Sequence, residues 1–375
     1  MRIAIHAADL DHNRIDGTRV YLFNMLKNFG KIDSQDSFLI YHQNDFNPQL
    51  KPPVFANYSV KKSSFPLLWT QTAFAFKIWR DRPEVLWMPV HNLPILHRKN
   101  LKVVVTIHDL AFKIFPDYFT KKDLLKLNKL SDMAIKKADK IIAISQSTKN
   151  DILKFYPEIS EEKITIIHHG FDAEIFQKKY SAEESDKLLK NYQLSTKNYL
   201  LYVGAIQPRK NLEVLIEAFA KIKRESASWR TDLKLVIAGA PAWKAEATLK
   251  KIAASPFGKD IIITGSLEFE KVAIFYQNAK IFVYPSLYEG FGIPILESMA
   301  SGTPVICAKN SSLIEVGGEA ALYFKTEDFN GLADCINKII ENEALEKELI
   351  QKSFEHIKKF SWEKCAQETL DYLLK

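Results

Sequence analysis

Features of secreted, metal-binding and membrane-spanning proteins are scarce in this sequence. Its three cysteines, Cys307, Cys335 and Cys365, are widely separated, so they form neither a disulfide framework nor the spacing of a metal site, and they suit a reducing cytosol. No run approaches the ~20 apolar residues that span a bilayer. The opening stretch MRIAIHAADL has too short an apolar segment, followed at once by acids, to be typical of a secretory signal. We therefore expect a cytoplasmic protein.

Positive charge is in excess and unevenly distributed. Lys and Arg outnumber Asp and Glu by 25 to 19 over residues 1–176, but only by 27 to 26 over the remainder. A basic first half suits nucleic acid, an anionic membrane surface or an acidic substrate. No nucleic-acid-binding motif accompanies the charge, so we expect no nucleic acid partner.

Alternating strands and helices in two successive series predict two domains. A length of 375 residues is natural for two domains. Each series is typical of a doubly wound, Rossmann-like α/β domain. A charged, weakly periodic stretch separates the series, so we place the domains at residues 1–176 and 177–359.

The most informative stretch is YPSLYEGFGIPILESMASGTPV, residues 284–305. It predicts a strand end, a glycine-broken loop and a helix that opens near Pro294, a favourable first-turn residue. Glu289 and Glu297 flank seven residues, and the glycines permit a sharp loop that turns both acids toward one ligand. Backbone N–H groups between the acids suit a phosphate. These groups belong to Gly290, Phe291, Gly292 and Ile293 in the first helical turn. Phosphate with hydroxyl-binding carboxylates on either side describes a sugar nucleotide.

The same residues have a simpler interpretation. Glycine loops that open helices are common, and Glu297 suits a first turn because of the helix dipole. Glu289 would then be a solvated loop residue. Spacing alone does not decide between the two.

The motif EGFGIPILE closely resembles the E-x7-E motif of retaining GT-B glycosyltransferases of family 4, also called group 1. The similarity continues through SMASGTPVI, SLIEVGGEAALYF and most of the chain, and it is strong toward bacterial polysaccharide and lipopolysaccharide mannosyltransferases. The resemblance implies a GT-B fold, two Rossmann-like domains facing across a cleft. The first domain would bind the acceptor and the second the nucleotide sugar, while residues 360–375 would form a helix that packs back on the first domain.

In the resembled family, the second acid of the motif holds the ribose and the first holds hydroxyls of the donor sugar. Carried over, Glu297 would bind the ribose and Glu289 the sugar, where it would serve catalysis. The basic pair Arg209 and Lys210 follows a predicted strand and a tight turn at Gly204. A guanidinium fork and a point charge there can neutralise a diphosphate as it departs. The alternative is a solvated pair, but the pair matches the donor-phosphate position of the family.

His108 follows a β-branched run, Lys102–Ile107, that predicts a central parallel strand. Polar residues directly after such a strand lie at the ligand-binding edge of the sheet, where a histidine can donate to a sugar hydroxyl or a phosphate. In the resembled family a histidine at this place contacts the donor sugar and assists catalysis. His91 and Asn92 follow another strand, and there a satisfied loop histidine is the preferred interpretation.

Three further donor contacts are predicted less directly. Gly17 begins a helix after the first strand, where the family carries a richer glycine loop, so it is either a phosphate contact or a simple turn residue. Gly265 and Leu267 follow a strand at the place where the family's backbone meets the nucleotide base.

Two other helical patterns bear on the surface of the first domain. Aromatic residues crowd residues 65–80 and predict a helix that faces the core. A basic amphipathic helix is predicted over residues 121–137. Its basic face is either simply solvated or docks on anionic lipid.

The resemblance implies retaining transfer of a hexose, with mannose favoured, to a hydroxyl of a glycan or lipid-linked acceptor at the inner face of the membrane. GDP-mannose is the favoured donor and a UDP-sugar the alternative. No cofactor or metal is expected, consistent with the lack of a convincing Asp-x-Asp motif.

Three alternative functions are considered. They are a sugar-phosphate synthase with a small soluble acceptor, a GT-B epimerase, which the E-x7-E match disfavours, and a non-catalytic sugar-nucleotide-binding partner. Starch and glycogen synthases are excluded because their Lys-x-Gly-Gly opening is missing.

Overall fold

The computed structural model describes residues 1–65, 67–225 and 232–375. The described chain divides into two compact units. Unit 1 comprises Met1–Gly170 with Phe360–Lys375, and unit 2 comprises Phe171–Lys359.

Unit 1 contains, within the described residues, a parallel sheet of seven strands in the order β3-β2-β1-β4-β5-β6-β7. The central strands are built mainly of fully buried apolar residues, most of them β-branched or aliphatic, as expected for a parallel sheet covered on both faces. The strands are β1 (Arg2–His6), β2 (Ser37–His42), β3 (Tyr58–Lys62), β4 (Val85–Met88), β5 (Lys102–Ile107), β6 (Lys140–Ala143) and β7 (Ile164–Ile166). The helices are α1 (Gly17–Ile32), α2 (Ala73–Asp81), α3 (Ala111–Ile114), α4 (Lys121–Lys137) and α5 (Gln146–Phe155).

Unit 2 contains a second parallel sheet, described as six strands in the order β10-β9-β8-β11-β12-β13. Its strands are β8 (Tyr199–Val203), β9 (Lys234–Ala238), β10 (Ile261–Ile263), β11 (Ile281–Tyr284), β12 (Val305–Ala308) and β13 (Ala321–Phe324). Its helices are α6 (Ala173–Phe176), α7 (Ala182–Lys190), α8 (Leu212–Arg224), α9 (Glu246–Ala254), α10 (Phe269–Asn278), α11 (Ile293–Ala300), α12 (Leu313–Gly317), α13 (Phe329–Glu341) and α14 (Glu343–His356).

Both strand orders reverse direction once along the sheet, which defines a topological switch point in each unit. The reversal lies between β1 and β4 in unit 1 and between β8 and β11 in unit 2. Loops at the carboxyl ends of such neighbouring strands separate, and open α/β sheets bind ligands in the crevice between them. The fold therefore points to the loops after these four strands.

The last helix, α15 (Trp362–Leu374), packs along α1 within unit 1. The hydroxyl of Ser361 caps it by accepting the N–H of Lys364 at 3.0 Å. Gly170 makes this return possible, because a Cβ there would lie 2.2 Å from the backbone nitrogen of Trp362.

The division between the units lies after Gly170, not after Phe176 as expected. The reason is that α6 packs into unit 2. The ring of Phe176 meets Tyr276 edge-on at 5.9 Å, and its carbonyl accepts the hydroxyl of Ser301 at 3.2 Å.

The aromatic segment 65–80 is also different from the prediction. The helix begins only at Ala73, and Trp69 and Phe74 are buried, but Phe76 and Trp79 are exposed. The prediction that this whole segment faces the core is wrong, because α2 buries only one of its faces.

Gly170→Ala should destabilise the protein by about 1–3 kcal/mol, because an added methyl overpacks against backbone that cannot rotate away. Thermal or urea unfolding measures the loss. Gly17→Ala is a control at the exposed first turn of α1, and an equal effect of both substitutions would contradict this account.

Candidate functional site

The loops after β8 and β11 meet at the switch point of unit 2. The N–H of Leu287 donates to the carbonyl of Arg209 at 2.9 Å, and the guanidinium of Arg209 donates to the carbonyl of Tyr288 at 2.5 Å. Arg209 Nη1 also lies 3.1 Å from Glu289 Oε2. The adjacency of the two strands therefore brings residues together that are about eighty positions apart in the sequence.

Lys210 completes a buried charged cluster with Arg209 and Glu289, which we call the ion cluster. Lys210 Nζ donates to Glu289 Oε1 and, at 3.1 Å, to the hydroxyl of Tyr284, the last residue of β11. Lys210 and Glu289 are 9% and 7% exposed, so neither is the solvated residue of the simpler interpretation. Burial alone would raise the pKa of Glu289, but the charges of Lys210 and Arg209 outweigh it and lower the pKa to about 2. The cluster thus carries two cations and one anion.

Two serines hold the loop that carries Glu289. The N–H of Glu289 donates to the hydroxyl of Ser311 at 3.1 Å. The hydroxyl of Ser312 lies within hydrogen-bond distance of the carbonyls of Glu289 and Phe291, at 2.9 and 2.7 Å. The glycine-broken loop is therefore fixed from the turn that follows β12, a contribution that the motif alone did not reveal.

Two asparagines fix the same loop. Asn211 Nδ2 donates to the carbonyl of Pro285 at 3.1 Å and to that of Thr326 at 2.9 Å. Asn310 Nδ2 donates to the carbonyl of Ser286 at 2.9 Å. Sequence reasoning did not assign either asparagine to the site.

Gly292 is the N-cap residue of α11 and has a left-handed backbone (φ +113°), and Pro294 lies in the first turn. Only glycine adopts this conformation without strain, and a Cβ would also lie 3.1 Å from the side chain of Leu313. The structure thus confirms that a glycine-dependent loop opens a helix here. The first-turn N–H groups of α11, which have no partner inside a helix, follow Gly290 and Phe291 directly.

Glu297 lies on α11 in a different environment from Glu289. Its Oε2 accepts the hydroxyl of Tyr276 on α10 at 3.2 Å. Burial raises the pKa of Glu297 to about 7, although the bond from Tyr276 lowers it, and Asp172 adds a smaller upward effect. The two acids of the motif therefore differ in ionisation: Glu289 is ionised at neutral pH, whereas Glu297 titrates near neutrality.

The other predicted donor residues of unit 2 lie on neighbouring loops. Gly204 directly follows β8 and has φ +144°. It lies so close to the end of β9 that a Cβ on Gly239 would be 1.9 Å from the carbonyl oxygen of Gly204. Gly265 has φ +73° and, with Leu267, lies between β10 and α10. Gly17 is in unit 1, at the first turn of α1.

His108 follows β5 in unit 1 and has a defined tautomer. Its Nε2 lies 2.8 Å from the carbonyl oxygen of Pro89, which can only accept, so Nε2 carries the hydrogen. Burial lowers the pKa of His108, against smaller opposite effects from the Pro89 carbonyl and Asp109. The neutral ring therefore presents Nδ1 as an acceptor. The predicted donation to a ligand would require the protonated ring, whereas acceptance of a sugar hydroxyl does not.

Aromatic rings hold His108 in place. Tyr21 of α1 packs edge-on against it at 5.1 Å, and His169 lies 5.4 Å away. His169 in turn stacks on Tyr21 at 4.7 Å and contacts Trp362 of α15 at 5.5 Å. Sequence reasoning gave the His168-His169 pair no role, and the structure places His169 as a support for His108.

A second polar cluster lies at the switch point of unit 1. The hydroxyl of Thr70 lies 3.1 Å from His6 Nε2, at the end of β1, and accepts Asn92 Nδ2 at 3.0 Å. Three buried atoms here have no hydrogen-bond partner among the described residues: His6 Nδ1, His91 Nδ1 and Asn92 Oδ1. Buried polar atoms are rarely left unpaired, so this cluster has capacity for the hydroxyls of a ligand. The preferred interpretation of His91 as a satisfied loop histidine finds no partner for Nδ1 among the described residues.

Within the described ranges, no group of three or more His, Cys, Asp and Glu side chains is arranged to hold a metal ion. Of the helices described, none combines the length and apolar character needed to cross a membrane.

Two family matches lie in tandem along the chain. Residues 16–175 match Glycosyltransferase Family 4, and residues 184–356 match Glycosyl transferases group 1. The chain belongs to the group 1, family 4 glycosyltransferases. The resemblance seen in EGFGIPILE is thereby confirmed.

The glycosyltransferase is 28% identical over 280 residues to O-antigen chain mannosyltransferase B of Escherichia coli, a match that covers 75% of this chain and 72% of the relative. It is 27% identical over 296 residues to O-antigen chain mannosyltransferase RfbU of Salmonella typhimurium, which covers 77% and 75%. Among solved structures, Anabaena HepE in complex with UDP and glucose aligns over 100% of both chains with a TM-score of 0.77 and 17% identity. The likeness to this structure shows that the fold is GT-B.

Glu297→Gln should stabilise the glycosyltransferase increasingly as the pH rises. In the folded protein the pKa of Glu297 is raised from its ordinary value of 4.5 to about 7. The protonated carboxyl therefore stabilises the folded state at low pH, and this contribution is lost as the pH rises through 7. The melting temperature of Glu297→Gln relative to wild type should therefore be higher at pH 8 than at pH 5. Glu363→Gln, on an exposed position of α15, controls for the loss of one carboxylate. A difference that is the same at both pH values would contradict the raised pKa.

Proposed function

We propose that this glycosyltransferase moves a hexose, with mannose favoured, from a nucleotide diphosphate sugar to a hydroxyl of a glycan or lipid-linked acceptor, with retention at the anomeric carbon. The biological setting would be cell-surface polysaccharide synthesis in the cytoplasm, at the inner face of the membrane. The observation that carries the proposal is the buried ion cluster of Arg209, Lys210 and Glu289 at the switch point of the second sheet.

The ion cluster suits a departing diphosphate because its cations exceed its anion. Phosphate oxygens of the donor would compete with Glu289 for Arg209 and Lys210, and the N-terminus of α11 adds the positive end of a helix dipole. Charge that develops on the leaving diphosphate would then be neutralised by groups that are already in place. Glu289, relieved of part of its pairing, would accept hydroxyls of the donor sugar.

Glu297 would hold the ribose of the donor. An ionised carboxylate accepts two hydroxyl hydrogen bonds, so ribose binding would favour the charged form of a group that titrates near neutrality. Gly265 and Leu267 would meet the base, and Gly204 and Gly17 would allow the backbone to approach the phosphates.

The names of the relatives support mannose as the transferred sugar, and we propose GDP-mannose as its donor. O-antigen chain mannosyltransferase B and RfbU are both mannosyltransferases by name. The complex of HepE with UDP and glucose supports a UDP-sugar as the alternative.

His108 would bind the donor sugar near the reacting carbon. Its Nδ1 suits a sugar hydroxyl as donor, since Nε2 is committed to Pro89. Tyr21 and His169 fix the plane of the ring.

The acceptor hydroxyl would attack the anomeric carbon on the face from which the diphosphate leaves. The bond from this carbon to the phosphate oxygen breaks with its electron pair on the oxygen, and the acceptor oxygen bonds to the carbon. The hydroxyl proton passes to the departing diphosphate. No side-chain nucleophile is needed, and no metal is needed because Arg209 and Lys210 carry the neutralising charge.

Acceptor hydroxyls would bind at the unpaired atoms of His6, His91 and Asn92. Neutral imidazoles and an amide match hydroxyls, which both donate and accept. Burial lowers the pKa of both histidines, so they remain neutral hydrogen-bonding groups.

Two alternatives remain distinct from this proposal. A transferase with a small soluble acceptor would use the same donor site, and a non-catalytic partner would bind the nucleotide sugar without transfer. The complete set of His108, Arg209, Lys210, Glu289 and Glu297 favours catalysis over the second alternative.

Lys210→Ala should lower turnover by about 10²–10³-fold, because a preorganised charge on the leaving group is lost. Product formation from labelled nucleotide sugar measures this. Lys250→Ala, at an exposed position of α9, is the matched control. Circular dichroism must confirm folding, since Glu289 loses one of its two cations, and near-wild-type turnover in a folded Lys210→Ala protein would contradict the role.

GDP should raise the melting temperature of the protein more than UDP or ADP, because a ligand bound only by the folded state stabilises it by mass action. Thermal shift measures the preference, and the same titrations with a chelator should give the same shifts. A larger shift with UDP would replace the favoured donor. No shift with any nucleotide would contradict the proposed donor site.

A further inference from the structure

The surface of unit 1 carries a cluster of exposed apolar side chains that no part of the proposed chemistry uses. We call it the apolar patch. Its members expose about half of their surface or more, from 48% for Phe65 to 79% for Leu96. They are Phe65, Leu67, Leu68, Phe76, Trp79, Ile95 and Leu96. Single exposed apolar residues are ordinary, but a group of this size indicates an interaction surface.

Hydrogen bonds and one ring contact join the members into one surface. Gln71 donates to the carbonyl of Leu93 at 2.8 Å and accepts the N–H of Ile95 at 2.8 Å. Farther along, the guanidinium of Arg98 lies 5.3 Å from the ring centre of Trp79. Residues 93–98 therefore run beside α2 from its beginning to its end.

The same helix presents two of the aromatic members. Phe76 and Trp79 are three positions apart and so share one face of α2, while Phe74 and Ile78 face the core. The loop that leads into the helix is held by Thr72, whose hydroxyl lies 3.0 Å from the carbonyl of Leu67. Leu68 has a left-handed backbone (φ 47°, ψ 45°), a conformation that is unfavourable for a bulky residue. Its side chain is exposed, so burial in the core does not compensate for this strain.

The chain segment that carries the apolar patch is rich in positive charge. Residues 60–99 contain seven Lys and Arg against two acids. One acid, Asp81, is buried in pairs with Lys61 and Arg80. Arg82 and Lys99 are exposed basic residues here, and Lys62 is exposed but pairs with Asp45 at 2.7 Å. The partner must therefore be both apolar and anionic.

The basic helix α4 differs from this surface. Its Leu124 and Leu127 pack against the core of unit 1, which leaves Leu125 as the exposed leucine of a face made mainly of lysines. Docking by α4 would be purely electrostatic, whereas the apolar patch offers rings and aliphatic side chains for the acyl region as well.

We infer that the apolar patch docks the protein on a bilayer that contains anionic phospholipid. Aromatic rings favour the headgroup level, leucines enter the acyl boundary, and Lys and Arg neutralise lipid phosphates. A second copy of this chain would place the same basic groups opposite one another, which like-charge repulsion disfavours. The inference rests on the proposed function in one respect, since docking would give access to a lipid-linked acceptor. Its test measures vesicle binding and requires no transfer reaction.

Sedimentation with vesicles of phosphatidylcholine, alone or mixed with phosphatidylglycerol, tests the inference with the full chain. The wild type should bind the mixed vesicles, and L67S/L68S/W79S should bind them at least about tenfold more weakly, because exposed apolar side chains are removed without loss of charge. The matched control is K122Q/K126Q/K129Q on α4, which should retain most of the binding. Equal binding by the patch variant, loss of binding only in the α4 variant, or no binding by the wild type would each overturn the inference.

Trp79 supplies an independent readout. Fluorescence of the wild type should shift to the blue on mixed vesicles and be quenched by brominated acyl chains, and W79F should lose most of this change while it still binds.

Thermal shift with GDP and UDP should be the same for the patch variant and the wild type. This separates a failure of membrane docking from a failure of the donor site. Vesicle-independent dimers that the patch variant abolishes would assign the surface to self-association instead and overturn the inference.

Discussion

Lys210 is almost completely buried, and a buried ammonium group needs a counter-charge. Unit 2 provides it by placing β8 beside β11, so that the loop after one strand delivers the lysine and the loop after the other delivers Glu289. Buried ion pairs contribute little net stability compared with apolar residues of similar size, and removal of one partner is strongly destabilising. The ion cluster is therefore better understood as a device that fixes two cations in space. Ser311, Ser312, Asn211 and Asn310 all hold the loop that keeps this geometry.

The two acids of the E-x7-E motif show how one short segment supplies two chemical environments. Glu289 lies beside Lys210 and Arg209 and is ionised throughout the physiological range. Glu297 lies one helix turn into α11, without a cation among the groups that shift its pKa. The glycine at position 292 permits this change of environment, because its left-handed backbone redirects the chain between the acids.

The sequence was sufficient for the fold class, for the family and for the helix that opens beside Pro294, since these depend on local periodicity and on a specific motif. It also singled out Arg209, Lys210 and Glu289, but it could not show that they contact one another, because that depends on strand order. The polar cluster of unit 1 was missed for the same reason: Thr70 joins His6 to Asn92 across distant parts of the chain. The orientation of Phe76 and Trp79 could not be predicted either, since aromatic composition does not reveal which side of a helix the sheet covers. The boundary after Gly170 depended on the packing of Phe176, which composition does not encode.

The return of α15 to unit 1 makes that unit discontinuous, with all of unit 2 inserted between Gly170 and Phe360. During synthesis, α15 is made only after unit 2, so the face of α1 that it covers stays exposed until then. All the described strands of unit 2 have been synthesised by that time and can already pair with one another. Contacts across so long a separation form slowly because a large loop must close. We therefore expect unit 2 to acquire its structure first and the sheet of unit 1 to remain incompletely covered until α15 has been synthesised. A nascent chain in that interval exposes apolar surface that a chaperone would recognise.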